Sequence, residues 1–356
     1  MPPAISVVVP TFNREHLLPG ALASVRAQAF RDLEVIVVDD GSTDGTRALV
    51  EAIAGADPRF RYHHQPNGGA AAARNAGLDQ AIGTYVAFLD SDDAWRPWHL
   101  ELVMAGLGRL PDAGLIWTDM DTVDGAGTVT ARRQLRSTLS AYRYFSMDEL
   151  FPTSLPLSEL EVEIPPDQRD LDRRLYMGDV FSAMVMGNLV LPSSVLMRRA
   201  RLDEVGRFDQ HLRTGEDYEF FLRACRAGPV AFADVPDVLY RVGTSDRLSG
   251  PAMGLPIARA YLEVLEKTLA EDADRITLSP EMVTEARGYA HRWVGEAELQ
   301  AGSRRVARGH LATAFRLGQR RVWTLALLLI SFLPRGALTR VARIRQGLRA
   351  RPPAAT

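Results

Sequence analysis

The chain has 356 residues, 46% of them hydrophobic and 24% charged, enough to bury one large α/β core and a smaller appendage. One cysteine, Cys225, excludes an internal disulfide and a cysteine zinc site and fits a reducing compartment. Lysine is nearly absent, Lys267 being the only one, so cationic contacts to a ligand fall to arginine. Met1 leads through Pro2 and Pro3 into an apolar run with no basic region or leader-like stretch, so a cytoplasmic location is expected.

Residues 5–9 and 33–38 are near-continuous apolar, β-branched runs, the pattern of strands buried on both faces of a parallel sheet. Between them Leu18, Ala21, Leu22 and Val25 recur at helical spacing and form one stripe that packs on the sheet, which predicts a right-handed βαβ unit. The polar turn Asp39-Asp-Gly-Ser-Thr-Asp-Gly45 follows, at the carboxyl end of the sheet where open α/β folds bind ligands.

A third apolar run, residues 85–89, ends in Asp90, Asp92 and Asp93. Crowded carboxylates repel one another, and such hard-oxygen clusters hold Mg²⁺ or Mn²⁺ that also grips a substrate phosphate. An Asp-rich turn capping the helix that begins near Pro97 is the competing explanation. Asp40 and Asp92 end different strands and are expected to face one crevice. Neither Gly-x-Gly-x-x-Gly after the first strand nor a P-loop is present, so a diphosphate would be held through metal. Arg74 is either its cationic partner or a solvated helix arginine.

These blocks, taken together, resemble a family 2 glycosyltransferase of the GT-A fold. The resemblance runs through Ser6-Val-Val-Val-Pro-Thr-Phe-Asn13, Val37-Val-Asp-Asp-Gly-Ser-Thr-Asp-Gly45, Asn75-Ala-Gly77 and Leu89-Asp-Ser-Asp-Asp93. It continues through Ser194-Val-Leu-Met-Arg-Arg199, Val205-Gly-Arg-Phe-Asp209 and Thr214-Gly-Glu-Asp-Tyr-Glu-Phe-Phe-Leu-Arg223, covering roughly residues 4–250. It implies an open mixed sheet flanked by helices that binds a nucleoside-diphosphate sugar, with a UDP-sugar favoured and thymidine or guanosine donors known on the same fold. By the same resemblance Pro10, Thr11, Phe12 and Asp40 hold the nucleotide base. Asp90 and Asp92 hold Mn²⁺ or Mg²⁺ on the diphosphate, with Asp92 the more direct ligand, and Asp217 is the general base of an inverting transfer to a hydroxyl acceptor. One departure stands out: where the family often has histidine two residues after Tyr-Arg, Tyr240-Arg-Val-Gly243 has glycine. Water, or a neighbour such as Ser245 or Asp246, would then fill that position.

Glu216 and Asp217 also suit a helix N-terminus, with Thr214 as cap and acidic residues in the first turn; a base carried there, its pKa raised by burial beside Phe220 or Phe221, satisfies both readings. Residues 151–171, rich in proline and acid, read as an irregular loop over the acceptor site. Trp117, Tyr142, Tyr144 and Phe145 are candidates for sugar stacking, with core packing the stronger reading.

Residues 256–302 read as two helices, with Ser279 as an N-cap and Pro280 at the first helical position. After Glu298 there are twelve arginines and no acid, so the formal charge of −2 divides into +12 beyond that residue and −14 before it. Residues 322–333 are apolar except for Thr324 and Ser331, short of the roughly 18 residues that span a bilayer. Contact of residues 303–351 with an anionic inner membrane face is favoured over docking on the catalytic domain, and a nucleic-acid partner is not expected.

The expected division is therefore residues 1–120 as a nucleotide-sugar-binding half, 121–250 as an acceptor-binding half with the Glu-Asp motif, and 251–356 as a helical, basic extension. A non-catalytic nucleotide-sugar-binding scaffold is the alternative function. It has no need of Asp40, Asp90, Asp92 and Asp217, all of which are present. A sugar nucleotidyltransferase would want a Gly-rich N-terminal loop and nearby lysines, and has neither here.

Overall fold

A computed structural model describes residues 2–165, 173–243 and 253–332. The chain divides into two compact units, one of Met1–Gly250 with Asp272–Thr277, the other of Pro251–Glu271 with Leu278–Thr356.

The first unit is built on an eleven-stranded mixed sheet with helices against it, the open α/β arrangement expected. Its strands are β1 (Ile5–Thr11), β2 (Leu33–Asp39), β3 (Phe60–His64), β4 (Tyr85–Phe88), β5 (Ala94–Trp95) and β6 (Leu115–Val123). They continue with β7 (Val129–Ala131), β8 (Thr153–Pro156), β9 (Arg174–Gly178), β10 (Leu196–Arg198) and β11 (Val230–Arg241). The order is β3-β2-β1-β4-β10-β6-β11-β9-β8, with β5 on β11 and β7 on β6. β1 runs parallel to both β2 and β4, and β10 lies antiparallel between β4 and β6. Since β11 is parallel to β6, the carboxyl ends of β1, β2, β4, β6 and β11 share one edge of the sheet.

Helix α1 (Leu18–Arg26) buries Leu18, Ala21, Leu22 and Val25, the predicted stripe. Helices α2 (Thr46–Ala56), α3 (Ala70–Gln80) and α4 (His99–Arg109) follow, and α4 starts from Trp98 with no side-chain cap, so the Asp-rich turn is not its cap. α3 comes so close to the sheet that a Cβ on Gly77 would sit 2.3 Å from Val8 Cγ1 and 3.3 Å from Val38 Cγ2. Gly77→Ala is therefore expected to destabilise the fold by about 1–3 kcal/mol through overpacking, more than the helix propensity it gains, read as a lower urea midpoint.

One expectation needs correction, and another, the core role of Trp117 and Tyr142, holds. Within residues 151–171 the chain forms β8, paired antiparallel with β9 at the end of the sheet, and a 3₁₀ turn at Leu157–Leu160, because the edge of β9 offers backbone partners that proline content did not reveal. Residues 166–171 lie outside the described part. Trp117 is fully buried and donates its indole N–H to Tyr142, whose hydroxyl reaches Leu189 O at 3.1 Å, so both serve the core instead of stacking on sugar.

The second unit holds helices Gly254–Glu271, Pro280–Ala301, Arg304–Arg316 and Arg321–Ile330. Ser279 caps the second of these by accepting from Met282 N–H, Pro280 opens it, and Gly302 closes it at φ 87°, as the sequence predicts. Gly295 lets the chain of Leu311 approach; a Cβ there would meet Leu311 Cγ at 2.7 Å. Glu298, fully buried, pairs with Arg259. Among the described residues no helix is long and apolar enough to cross a membrane.

Candidate active site

The ends of β1 and β2 are sewn together by short polar links. Asp40 N–H donates to Thr11 O at 2.9 Å, Asn13 N–H to Ser42 Oγ at 2.8 Å, and Thr43 N–H to Asn13 Oδ1 at 2.8 Å. Asn13 adopts φ 52° and Gly41 φ 84° to make these turns. Thr11 is buried with its hydroxyl lacking a protein partner, while Phe12 beside it is 45% exposed. An unpaired buried hydroxyl and an open aromatic face next to each other are suited to a planar polar ligand.

Asp40 is buried and its carboxylate faces inward. It accepts from Gln65 Nε2 at 2.7 Å, Gly68 N–H at 2.9 Å and Gly69 N–H at 2.8 Å. The carboxylate thus fixes the loop that launches α3, and so the position of every side chain on that helix.

Arg74 on α3 is 5% exposed, which removes the solvated-arginine reading. Its Nη2 donates to Asp90 Oδ1 at 2.8 Å and its Nη1 to Glu216 Oε1 at 2.9 Å, joining residues 142 apart in sequence. Burial works against its charge, but Asp90, then Glu216 and Asp217, outweigh that and raise its pKa. The guanidinium also lies over the Phe208 ring at 5.5 Å. Next door, Asn75 clamps the Phe208 backbone, donating to its O and accepting from its N–H, both at 2.9 Å.

After β4 the chain turns at Asp90-Ser-Asp-Asp93, closed by Asp93 N–H to Asp90 O at 3.0 Å. Ser193 Oγ donates to Asp93 Oδ2 at 2.6 Å and accepts from Asp90 N–H at 3.1 Å. Arg241 N–H reaches Asp93 Oδ1 at 3.1 Å, and Arg241 Nε reaches Asp92 O at 3.0 Å. Burial, then the charges of Asp92 and Asp90, raise the Asp93 carboxyl well above the usual carboxylate range. Asp93 is therefore the structural member of the trio, whereas Asp90 and Asp92 keep partial exposure. Their hard oxygens suit a divalent cation that takes its remaining ligands from phosphate and water. Among the described residues, no group of three or more His, Cys, Asp or Glu is arranged to hold a metal without such help.

The helix Glu216–Arg226 begins at Gly215, φ 74°, with no side-chain cap. Thr214 is therefore not the cap that its position suggested; a left-handed glycine makes the entry and leaves the first turn open. Asp217 Oδ1 accepts from Tyr218 N–H at 2.8 Å. Burial raises the Asp217 carboxyl, with Arg74 and the Tyr218 N–H pulling it down and Asp90 pushing it up. Gly243 lies in the left-handed region at φ 84°; Ser245 and Asp246 lie outside the described residues.

Asp90, Arg74, Glu216 and Asp217 thus share one electrostatic neighbourhood at the sheet's carboxyl edge. Ser193, Gln65 and the Gly68–Gly69 amides were not among the residues singled out from sequence. They hold the acidic side chains from distant loops, and no periodic signal marks them.

Residues 6–155 match the family described as "Glycosyl transferase family 2". A stretch of 108 residues, 29% of this chain, is 47% identical to the GalNAc(5)-diNAcBac-PP-undecaprenol beta-1,3-glucosyltransferase of Campylobacter jejuni, covering 34% of that protein. Over residues 6–155 the chain is a glycosyl transferase family 2 domain. The chain spans 33%, 16% and 34% of the length of three curated relatives it matches. The fold is shared with S. aureus TarS in complex with UDP-GlcNAc, at TM-score 0.52, 20% identity and 90% coverage of each chain. It is shared too with the mannosyltransferase PcManGT of Pyrobaculum calidifontis, in complex with GDP-Man and Mn²⁺, at TM-score 0.51 and 19% identity over 93% of this chain and 86% of that one. Both are consistent with the GT-A type of mixed sheet, and the C-terminal helices lie beyond the stretch matched to the family.

Proposed function

We propose that this family member is an inverting glycosyltransferase that moves a sugar from a nucleoside-diphosphate donor, UDP-sugar favoured, to a hydroxyl of a cell-surface or lipid-linked glycan. The observation that carries the reading is Arg74, which fastens the acidic turn after β4 to the start of the Glu216–Arg226 helix. In this reading Asp90 is the donor-side carboxylate and Glu216 neighbours the acceptor-side base, and their shared bond partner Arg74 supports both working on one substrate pair. The name of the C. jejuni relative, which acts on an undecaprenol-linked glycan, supports the acceptor class.

In this mechanism Pro10, Thr11, Phe12 and Asp40 receive the nucleotide base, Thr11 through its unpaired hydroxyl and Phe12 through its open ring. Asp90 and Asp92 would hold Mn²⁺ or Mg²⁺, which when bound neutralises charge on the departing diphosphate. Arg74 orients Asp90 and lends positive charge to the same region. Asp217 takes the proton of the acceptor hydroxyl as the new bond from its oxygen to the anomeric carbon forms. The old bond to the diphosphate oxygen breaks, its electron pair leaves with the nucleotide, and attack from the opposite face inverts the centre. The basic stretch 303–351 is read as contact with an anionic membrane surface, on the cytoplasmic side.

A thermal-shift screen with UDP, TDP and GDP, with and without Mn²⁺, tests the donor site. One diphosphate should stabilise the protein by about 2–3 kcal/mol at a hundredfold excess over its Kd, and only with metal. Asp92→Ala should abolish that stabilisation. Retained stabilisation in the variant, or none by any nucleotide in the wild type, defeats the reading.

A further inference from the structure

The helix Arg321–Ile330 carries its side chains the wrong way round for water. Thr324 and Ser331 are fully buried and return their hydroxyls to Gln319 O and Leu328 O. Facing outward are Val322, 87% exposed, Leu325, 40%, and Leu329, 61%, and the row is continued just past the helix end by Phe332, 65%. At helical spacing these four fall within a sector roughly 80° wide. Single exposed apolar residues are ordinary, but a continuous row beside inward-turned hydroxyls signals a partner of low polarity.

Charge decides which partner. Arg305, Arg316, Arg320 and Arg321 are exposed in the same unit, and the Arg308 guanidinium lies 4.7 Å from the Phe332 ring centroid, at the border of the apolar row. No acidic residue follows Glu298, whereas twelve arginines do. A second copy of this surface would bring like charges together, while anionic phosphate would neutralise them. The helix has ten residues, which fits lying in an interface and not crossing it.

We propose that the row Val322, Leu325, Leu329 and Phe332 seats in the acyl-chain boundary of an anionic lipid membrane, with the flanking arginines at headgroup level. This deepens the membrane part of the reading above and is independent of the donor chemistry. Long arginine side chains suit this geometry, since their stems cover apolar surface while the charge stays with the phosphates. Salt should weaken the attachment without removing the apolar contribution.

Flotation of the full chain with phosphatidylcholine vesicles, with and without phosphatidylglycerol, tests it. The wild type is expected to float with anionic vesicles only. The triple variant Val322→Ser, Leu325→Ser, Leu329→Ser should bind about tenfold or more weakly. Its melting temperature should be unchanged, because the altered side chains face outward. Arg320→Glu with Arg321→Glu should weaken binding likewise. A wild type that stays off anionic vesicles overturns the proposal. So does a triple variant that floats as well as the wild type, since residues 333–356 would then carry the binding. If the triple variant instead splits a dimer in sedimentation while neither protein binds vesicles, the row belongs to a second copy. Nucleotide stabilisation is measured without lipid, so failure here leaves the donor reading standing, and the reverse holds.

Discussion

Asp217→Asn is expected to lower kcat by about 10²–10⁴-fold while leaving the melting temperature and metal-dependent nucleotide binding in place. Asparagine keeps the size of the side chain and the oxygen that accepts from Tyr218 N–H at 2.8 Å, so the first turn of the helix Glu216–Arg226 retains its geometry. What disappears is the capacity to accept a proton. Folding should not suffer, because a neutral amide at a position where burial disfavours the carboxylate costs less to desolvate. The pH profile separates a base from a bystander. Asp217 has its pKa raised above the ordinary 3.8, first by burial, and a base acts only when unprotonated. Activity must therefore fall as pH drops through that raised value, placing the acid limb of kcat above the ordinary carboxylate range. Residual activity of the variant should lack this limb. A kcat within threefold of wild type, or an acid limb that survives the substitution, would assign the proton to another group.

Much of this site was legible because each residue of a motif has a separate physical task. In Arg74-Asn-Ala-Gly77 the arginine ties two carboxylates, the asparagine clamps the Phe208 backbone, and the glycine clears Val8. No generic helix would carry those three types at that spacing, so the pattern survives in sequence. The same holds for the apolar runs of β1 and β2, where burial on both faces leaves no polar alternation.

What escaped reading depends on contacts that have no local signature. Ser193 orders the acidic turn from the 3₁₀ turn Pro192–Ser194 just ahead of the antiparallel β10, about a hundred residues on, and a serine before Ser194 looks like any other. Thr214 illustrates the opposite error. A threonine two residues before a pair of acids satisfies the usual capping pattern, yet the chain enters through Gly215 in the left-handed region, a choice made by tertiary packing. β8 was hidden for a third reason: its four residues end in Pro156, and an edge strand tolerates proline where a central strand does not.

Arg74→Ala should be the most destabilising single change at the site, by about 3–5 kcal/mol, because it strips the cation from buried carboxylates and leaves them uncompensated. The side chains of Arg74 and Glu216 are 6% and 9% exposed, so water cannot take over, while Asp90 at 28% is partly screened. For a unit of this size that loss lowers Tm by about 10 °C. The deficit should depend on pH in a defined direction. Burial already raises the Glu216 carboxyl, and Arg74 is the strongest influence holding it down. Removing the arginine lifts that pKa further in the folded state only. The folded variant then binds more protons than the unfolded chain above the ordinary glutamate value of 4.5, so its stability falls as pH rises through that window. The gap to wild type should accordingly be smaller at mildly acidic pH than at neutral pH. Arg74→Ala combined with Glu216→Gln isolates the pair: the amide removes the orphaned charge, and part of the lost stability should return. Equal losses in the single and double variants, or a loss under about 1 kcal/mol in Arg74→Ala, would mean that Arg74 does not neutralise the acidic cluster on which donor and acceptor sides meet.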